Sequence, residues 1–128
     1  MPTGISEYYA NKLIDHALGK TEFPLPTIMF LACFDGDPLG AGSEIATGGY
    51  ARQLMTQGTA AAGAIASNAS DILFPEATGD QGTISHLGLF YQVSAGTVAF
   101  AGTMTTAKAI ATSDQLKVAA GNFGVQYT

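Results

Sequence analysis

The chain of 128 residues has no tryptophan, a single cysteine, two histidines, five basic side chains and ten acidic ones. Each scarcity removes a class of function. The lone Cys33 excludes an internal disulfide and any zinc site built from cysteines. His16 and His86 offer neither an H-x-H nor an H-E-x-x-H spacing, so no zinc or acid–base motif can be assembled around them. The few basic residues are scattered and make no patch for nucleic-acid phosphates. No apolar run approaches the roughly 18 residues of a membrane span. Glu7, Lys12 and Asp15 fall where the apolar core of a signal peptide would lie, so synthesis in the cytosol is expected. The expected partners therefore include neither nucleic acid nor membrane, and no cofactor is expected.

What remains is an apolar, glycine-rich chain. Hydrophobic residues make up 47% and glycine occurs 16 times, with a net charge of −5. Such a composition folds rather than staying disordered, and its size suits one domain with a real core. The first element is a helix over about 5–18. Ser6 can cap it, Glu7 places an acid in the first turn, and Tyr9, Leu13 and Ala17 recur along one face beside Ile5, Ile14 and Leu18. Gly19 stops it, and Phe23-Pro24-Leu25-Pro26 can only be an extended connector.

From there the pattern is that of short strands. Thr27–Phe34 reads as a strand, Asp35–Ser43 as a loop, and Tyr50–Met55 as a strand with Tyr50, Arg52 and Leu54 on one face. The small residues over 58–70 are assigned extended structure, and Asp71–Pro75 is a short strand whose proline ends it or leaves it at an edge. Gly82–Tyr91 is the most strongly apolar strand, and its spacing from Thr97–Thr103 predicts a hairpin over 83–103. In strict alternation His86 would share a face with Ile84 and Gly88, opposite the core residues Leu87 and Leu89, with Phe100 facing them. Thr105–Ala111, Gln115–Ala119 and Phe123–Tyr127 complete the set. The predicted fold class is mainly β: a single antiparallel β-sandwich, jelly-roll-like, with one N-terminal α-helix. Residues 1–22 form the helix and connector, and 23–128 form the sandwich.

Candidate chemistry is thin. Asp35 and Asp37 stand two apart in a glycine-rich loop, with Glu44 further on, and carboxylates so placed suit calcium. The EF-hand pattern fails, however, and Asp and Gly populate turns for conformational reasons alone. There is no G-x-S-x-G, no G-x-G-x-x-G and no P-loop. His86 lacks a partner in the sequence and reads as a hydrogen-bonded or interface histidine. His16 reads as a solvated residue near the carbonyl end of the helix. Cys33, inside Ile28–Phe34, reads as a buried apolar-like thiol. No active site assembles, so no enzyme is expected.

The order of these pieces carries a resemblance. The leading helix from Gly4 to Gly19 is followed by Pro24-Leu25-Pro26-Thr27, a strand ending Phe34-Asp35-Gly36-Asp37-Pro38, and Gly48-Gly49-Tyr50-Ala51-Arg52-Gln53. Further on come Phe74-Pro75-Glu76-Ala77-Thr78, the strand from Gly82 to Phe90, and a closing region from Lys108 to Gly121. The chain resembles a family of small tailed-bacteriophage virion proteins, commonly labelled tail fibre proteins and sometimes found as head decoration or cement proteins. It departs from that family's pattern at Gln81 and at Tyr91-Gln92.

The resemblance implies a non-enzymatic structural component of a virion, made in the host bacterial cytoplasm and assembling as a homotrimer. Its partners would be the major capsid protein or tail proteins of the same phage. Compact size favours head decoration, in which the subunit stabilises the capsid surface, over a fibre shaft of long repeats. A tail or tail-fibre-associated subunit is the alternative. A host-glycan-binding sandwich is a third reading, against which stands the absence of Trp and of clustered aromatics. The expected interface residues are Tyr8, Tyr9, Leu13 and His86. The helix could dock on a neighbour or close as a lid over its own sheet.

Overall fold

The computed structural model describes residues 4–24, 28–55, 65–120 and 124–126. In chain order these give β1 (Gly4–Ile5), α1 (Glu7–Ala17), β2 (Phe30–Phe34), β3 (Gln53–Leu54), β4 (Ile65–Ser67) and β5 (Ile72–Leu73). β6 (Gly82–Phe90), β7 (Phe100–Ile110), β8 (Lys117–Val118) and β9 (Gly124–Gln126) follow.

The helix starts where its cap predicts. Ser6 is extended, and its Oγ accepts from the Tyr9 N–H at 3.4 Å. Leu18 closes the last turn, and Gly19 takes φ 73°, a left-handed conformation suited to glycine. The predicted 5–18 helix is shorter at its start because Gly4 and Ile5 pair with Ala101 and Phe100 of β7. The Ser6 N–H extends this contact to Ala99 O at 2.9 Å. The sheet thus holds the chain immediately before the helix.

A five-stranded sheet in the order β1-β7-β6-β2-β3 is antiparallel throughout. β6 lies at its centre, with Phe30–Phe34 paired on one side and Phe100–Ile110 on the other. One face carries Leu31, Cys33, Leu87 and Leu89. Ile72, Phe74, Leu116 and Val118 pack onto that face from the antiparallel β5–β8 ribbon and its flanks, making the sandwich. The second layer is thus a narrow ribbon. On the opposite face Ala32, Phe34, Phe90 and Val98 form a smaller cluster beside Leu39. A central strand buried on both faces reads as an unbroken apolar run, and β6 does so from Leu87 onward, with His86 buried before it.

Gly88 lies in a tight place at the centre of that second face. A Cβ there would sit 3.0 Å from Phe34 Cε1 and 3.1 Å from Val98 Cγ2. Its absence lets the rings of Phe34 and Phe90 lie nearly parallel, with centroids 6.0 Å apart. Close approach to a strand glycine here replaces a side chain of its own.

The structure departs from strict alternation at one point. The β6–β7 register shifts between Ile84 and His86, so Ile84 joins Leu87 and Leu89 in the larger core instead of sharing the face of His86. A bulge adds one residue and reverses the parity of everything before it. Phe100, as expected, packs against the larger core.

Strand boundaries differ elsewhere for identifiable reasons. The segments expected as 97–103 and 105–111 are largely one strand, Phe100–Ile110, because β6 supplies partners from Leu89 down to Gly82. Residues 97–99 stay outside it, with Val98 buried over the Phe90 face. Tyr50–Met55 shrinks to Gln53–Leu54, since Tyr50 and Arg52 are drawn into side-chain contacts described below. Of the strand expected over Thr27–Phe34, Thr27 lies outside the described residues and the strand observed is Phe30–Phe34. Within 58–70 the strand is Ile65–Ser67, and 58–64 lie outside the described residues.

Leu89 is 2% exposed at the centre of the larger core. Leu89→Ala is expected to cost roughly 2–5 kcal/mol in chemical denaturation. Leu73→Ala, at an exposed position, should change stability by no more than about 0.5 kcal/mol.

Candidate functional site

The most developed polar constellation surrounds Arg52. Beyond β2 the chain turns through Asp35–Ser43 and returns antiparallel, with Glu44 bridged to Phe34 and the Ile45 N–H donating to Cys33 O at 3.0 Å. That return carries Glu44 to Arg52, beside the short β3. Arg52 Nε donates to Glu44 Oε2 at 2.7 Å and Nη2 to Oε1 at 2.8 Å, a bidentate pair. The Tyr50 hydroxyl also donates to Glu44 Oε2, at 2.7 Å, and accepts from the Cys33 N–H at 3.0 Å.

The remaining donors of Arg52 reach across to the β6–β7 connection. Nη1 donates to Gln92 O at 2.9 Å and to Ala95 O at 2.8 Å. The guanidinium carbon lies 3.6 Å from the centroid of the Phe90 ring, so the planar cation also stacks on an aromatic face. Ala95 and Gly96 have positive φ values of 55° and 80°. The clasp therefore holds an exposed loop, Gln92–Thr97, in a turn its backbone would not favour unaided.

The electrostatics follow from this packing. Burial acts to raise the Glu44 carboxyl, but hydrogen bonds from Arg52 and Tyr50, with the Arg52 charge, hold it below its ordinary value of 4.5. Burial first, and Glu44 second, push the Cys33 thiol up to about 12. It is a packed, unreactive group. Burial likewise raises the Tyr50 hydroxyl above the ordinary tyrosine range, with Glu44 adding to the rise.

The predicted calcium candidates are not brought together. Glu44 is committed to Arg52 and Tyr50. Asp35 Oδ1 accepts from the Ser43 N–H at 2.7 Å, and Asp37 Oδ1 accepts from the Leu39 N–H at 3.0 Å. These are turn-closing bonds of the kind that make Asp common in loops. Among the described residues no three His, Cys, Asp or Glu side chains cluster as metal ligands.

The expected interface residues divide. His86 is 4% exposed, with Nδ1 2.8 Å from Ser85 Oγ, and Tyr9 is also buried. Tyr8 and Leu13 are exposed. His16, expected to be solvated, is exposed, and its Nδ1 accepts from the Phe23 N–H at 3.0 Å, tying the connector back onto the helix.

An aromatic cluster went unforeseen, and it corrects the expectation that aromatics are dispersed. The ring of Tyr9 meets Tyr91 edge-on at 5.0 Å, Tyr8 at 4.9 Å and Phe23 at 6.0 Å. Within this cluster Tyr9 is buried, Phe23 and Tyr91 are half-buried, and the Lys12 ammonium lies 4.9 Å from the exposed Tyr8 ring. The cluster locks the helix to the sheet through Tyr9 and leaves Tyr8 as its exposed ring. The adjacent Tyr8 and Tyr9 are its trace in the sequence, but their meeting with Phe23 and Tyr91 is a tertiary fact.

The constellation is thus a structural clasp: its cation, carboxylate and phenol satisfy one another, and its thiol is sealed in. A family model described as Podophage GP4 fiber I protein gp80 matches residues 4–126 of the chain. The comparison with curated proteins gives no match.

Removing one partner of the clasp strands the other. Arg52→Ala should destabilise the fold by about 3 kcal/mol at pH 7 by chemical denaturation. Because Glu44 is depressed in the folded chain, its contribution is fully present above the unfolded value of 4.5 and lost as pH falls through the folded one. The stability gap between wild type and Glu44→Gln should therefore be widest near neutral pH and narrow progressively as pH falls below 4.5.

Proposed function

As the chain belongs to the Podophage GP4 fiber I protein gp80 family, we propose that it is a non-enzymatic structural subunit of the fibre on a podophage tail. In this role it works in several copies and is held by other tail proteins of the same phage. The observation that carries the reading is the extent of the family match, from residue 4 to residue 126. That span takes in the helix and all the strands among the described residues, so the likeness concerns the whole domain and not one shared hairpin.

Head decoration rested on compact size alone, whereas the family description names a fibre, and the tail is the better-supported location. The chemistry is consistent with a building block. The buried polar groups around Arg52 stabilise a loop and leave no nucleophile or acid–base pair poised for reaction. Binding then comes from repeated modest contacts, whose combined strength exceeds that of any one of them.

Gold-labelled antibody against the exposed Gln92–Thr97 loop, applied to intact virions, tests the placement. Label at the tail, with a copy number of a few to some dozens per particle by quantitative mass spectrometry, supports the fibre reading. Label spread over the head, with hundreds of copies, would establish decoration instead.

A further inference from the structure

The helix α1 is amphipathic, yet most of its apolar side chains are not used by its own chain. Of its side chains only Tyr9 is buried. Leu13, Ile14 and Leu18 are 39%, 55% and 68% exposed. Ala10, Leu13, Ile14, Ala17 and Leu18 recur at three- and four-residue spacings and so share one side of the helix. The arrangement is symmetric about its middle: Leu13 and Ile14 at the centre, a small alanine one turn away on either side.

The charges at the two ends are opposite. Glu7 is in the first turn, and Lys20 lies in the turn that closes the helix, both exposed. An antiparallel partner of the same sequence sets each Glu7 end against a Lys20 end, Leu13 against Ile14, and Ala10 against Ala17. A parallel partner would set like against like at both ends. The helix dipoles also favour the antiparallel arrangement.

We propose that the exposed face of α1 docks antiparallel on the same face of a second copy of this chain, about a two-fold axis between Leu13 and Ile14. The contact is isologous. A helix of 11 residues is about 16 Å long and buries far less than the ~1,200 Å² of a stable free-standing interface. The pairing is therefore weak between free subunits and effective where many copies are held close. It does not depend on whether the subunit sits on the tail or the head, and it differs from the three-fold assembly expected from the resemblance.

Single-cysteine cross-linking of the purified full-length chain tests it, since native Cys33 is buried and stays silent under oxidation. Near the two-fold axis, Ile14→Cys should form disulfide-linked dimers at high protein concentration. Leu18→Cys should not, because the two copies of that position lie roughly 13 Å apart along the axis, beyond disulfide reach. Glu7→Lys or Lys20→Glu in the Ile14→Cys background should slow cross-linking about threefold, and the two together should restore it. Equal or faster cross-linking through Leu18→Cys would overturn the two-fold in favour of parallel or three-fold packing. Failure of Ile14→Cys to cross-link, or preferential cross-linking through Thr106→Cys on the exposed part of β7, would overturn docking through the helix.

Discussion

Arg52 is held inside the chain with all its directed contacts made by protein groups: a carboxylate on one side, two main-chain carbonyls on the other, and an aromatic ring beneath. A guanidinium in such a place is costly unless every donor is matched. The matching involves three separate stretches. The loop after β2 must return to deliver Glu44, β6 must present Phe90, and the connection to β7 must turn so that the carbonyls of residues 92 and 95 converge. Local geometry in all three is therefore coupled through one side chain. The clasp contributes less net stability than its bond count suggests, but it favours one arrangement of these loops over others.

The hydrophobic framework around it has a similar economy. Among the described residues β6 is the only strand with a long partner on both sides, and it is buried on both faces along its second half. The larger core lies between the sheet and the β5–β8 ribbon. The smaller one is closed over by the β6–β7 connection and Leu39, and Gly88 makes room for it by having no side chain. Because both layers meet at β6, a change there disturbs two cores at once.

Much of this was legible from local chemistry. Ser6, Glu7 and Gly19 mark the helix ends because capping is a matter of neighbours in sequence. The apolar run ending at Phe90 marks the central strand for the same reason. What was not legible depends on distant partners. The bulge before His86 arises from pairing with β7, and moves Ile84 to the other face without any glycine or proline to announce it. Glu44 looked like a third calcium ligand because its acid stands near Asp35 and Asp37, whereas its true partner lies eight residues on, beside the edge of the sheet. The aromatic cluster is assembled from the helix, the connector and the end of β6. The virion family, by contrast, was visible from the order of the pieces, while its location on the particle was not.

Arg52 grips Gln92 and Ala95 by their carbonyl oxygens, which every amino acid possesses. The identity of the loop's side chains is therefore largely uncoupled from the anchoring that shapes it. Val93, Ser94 and Thr97 are exposed, and their replacement leaves the acceptors of the clasp in place. Only Ala95 and Gly96 are bound to a conformation that most residues resist. A replicating population can thus vary the outermost surface of this turn freely while its backbone path is inherited intact, held by a residue that mutation of the loop does not touch.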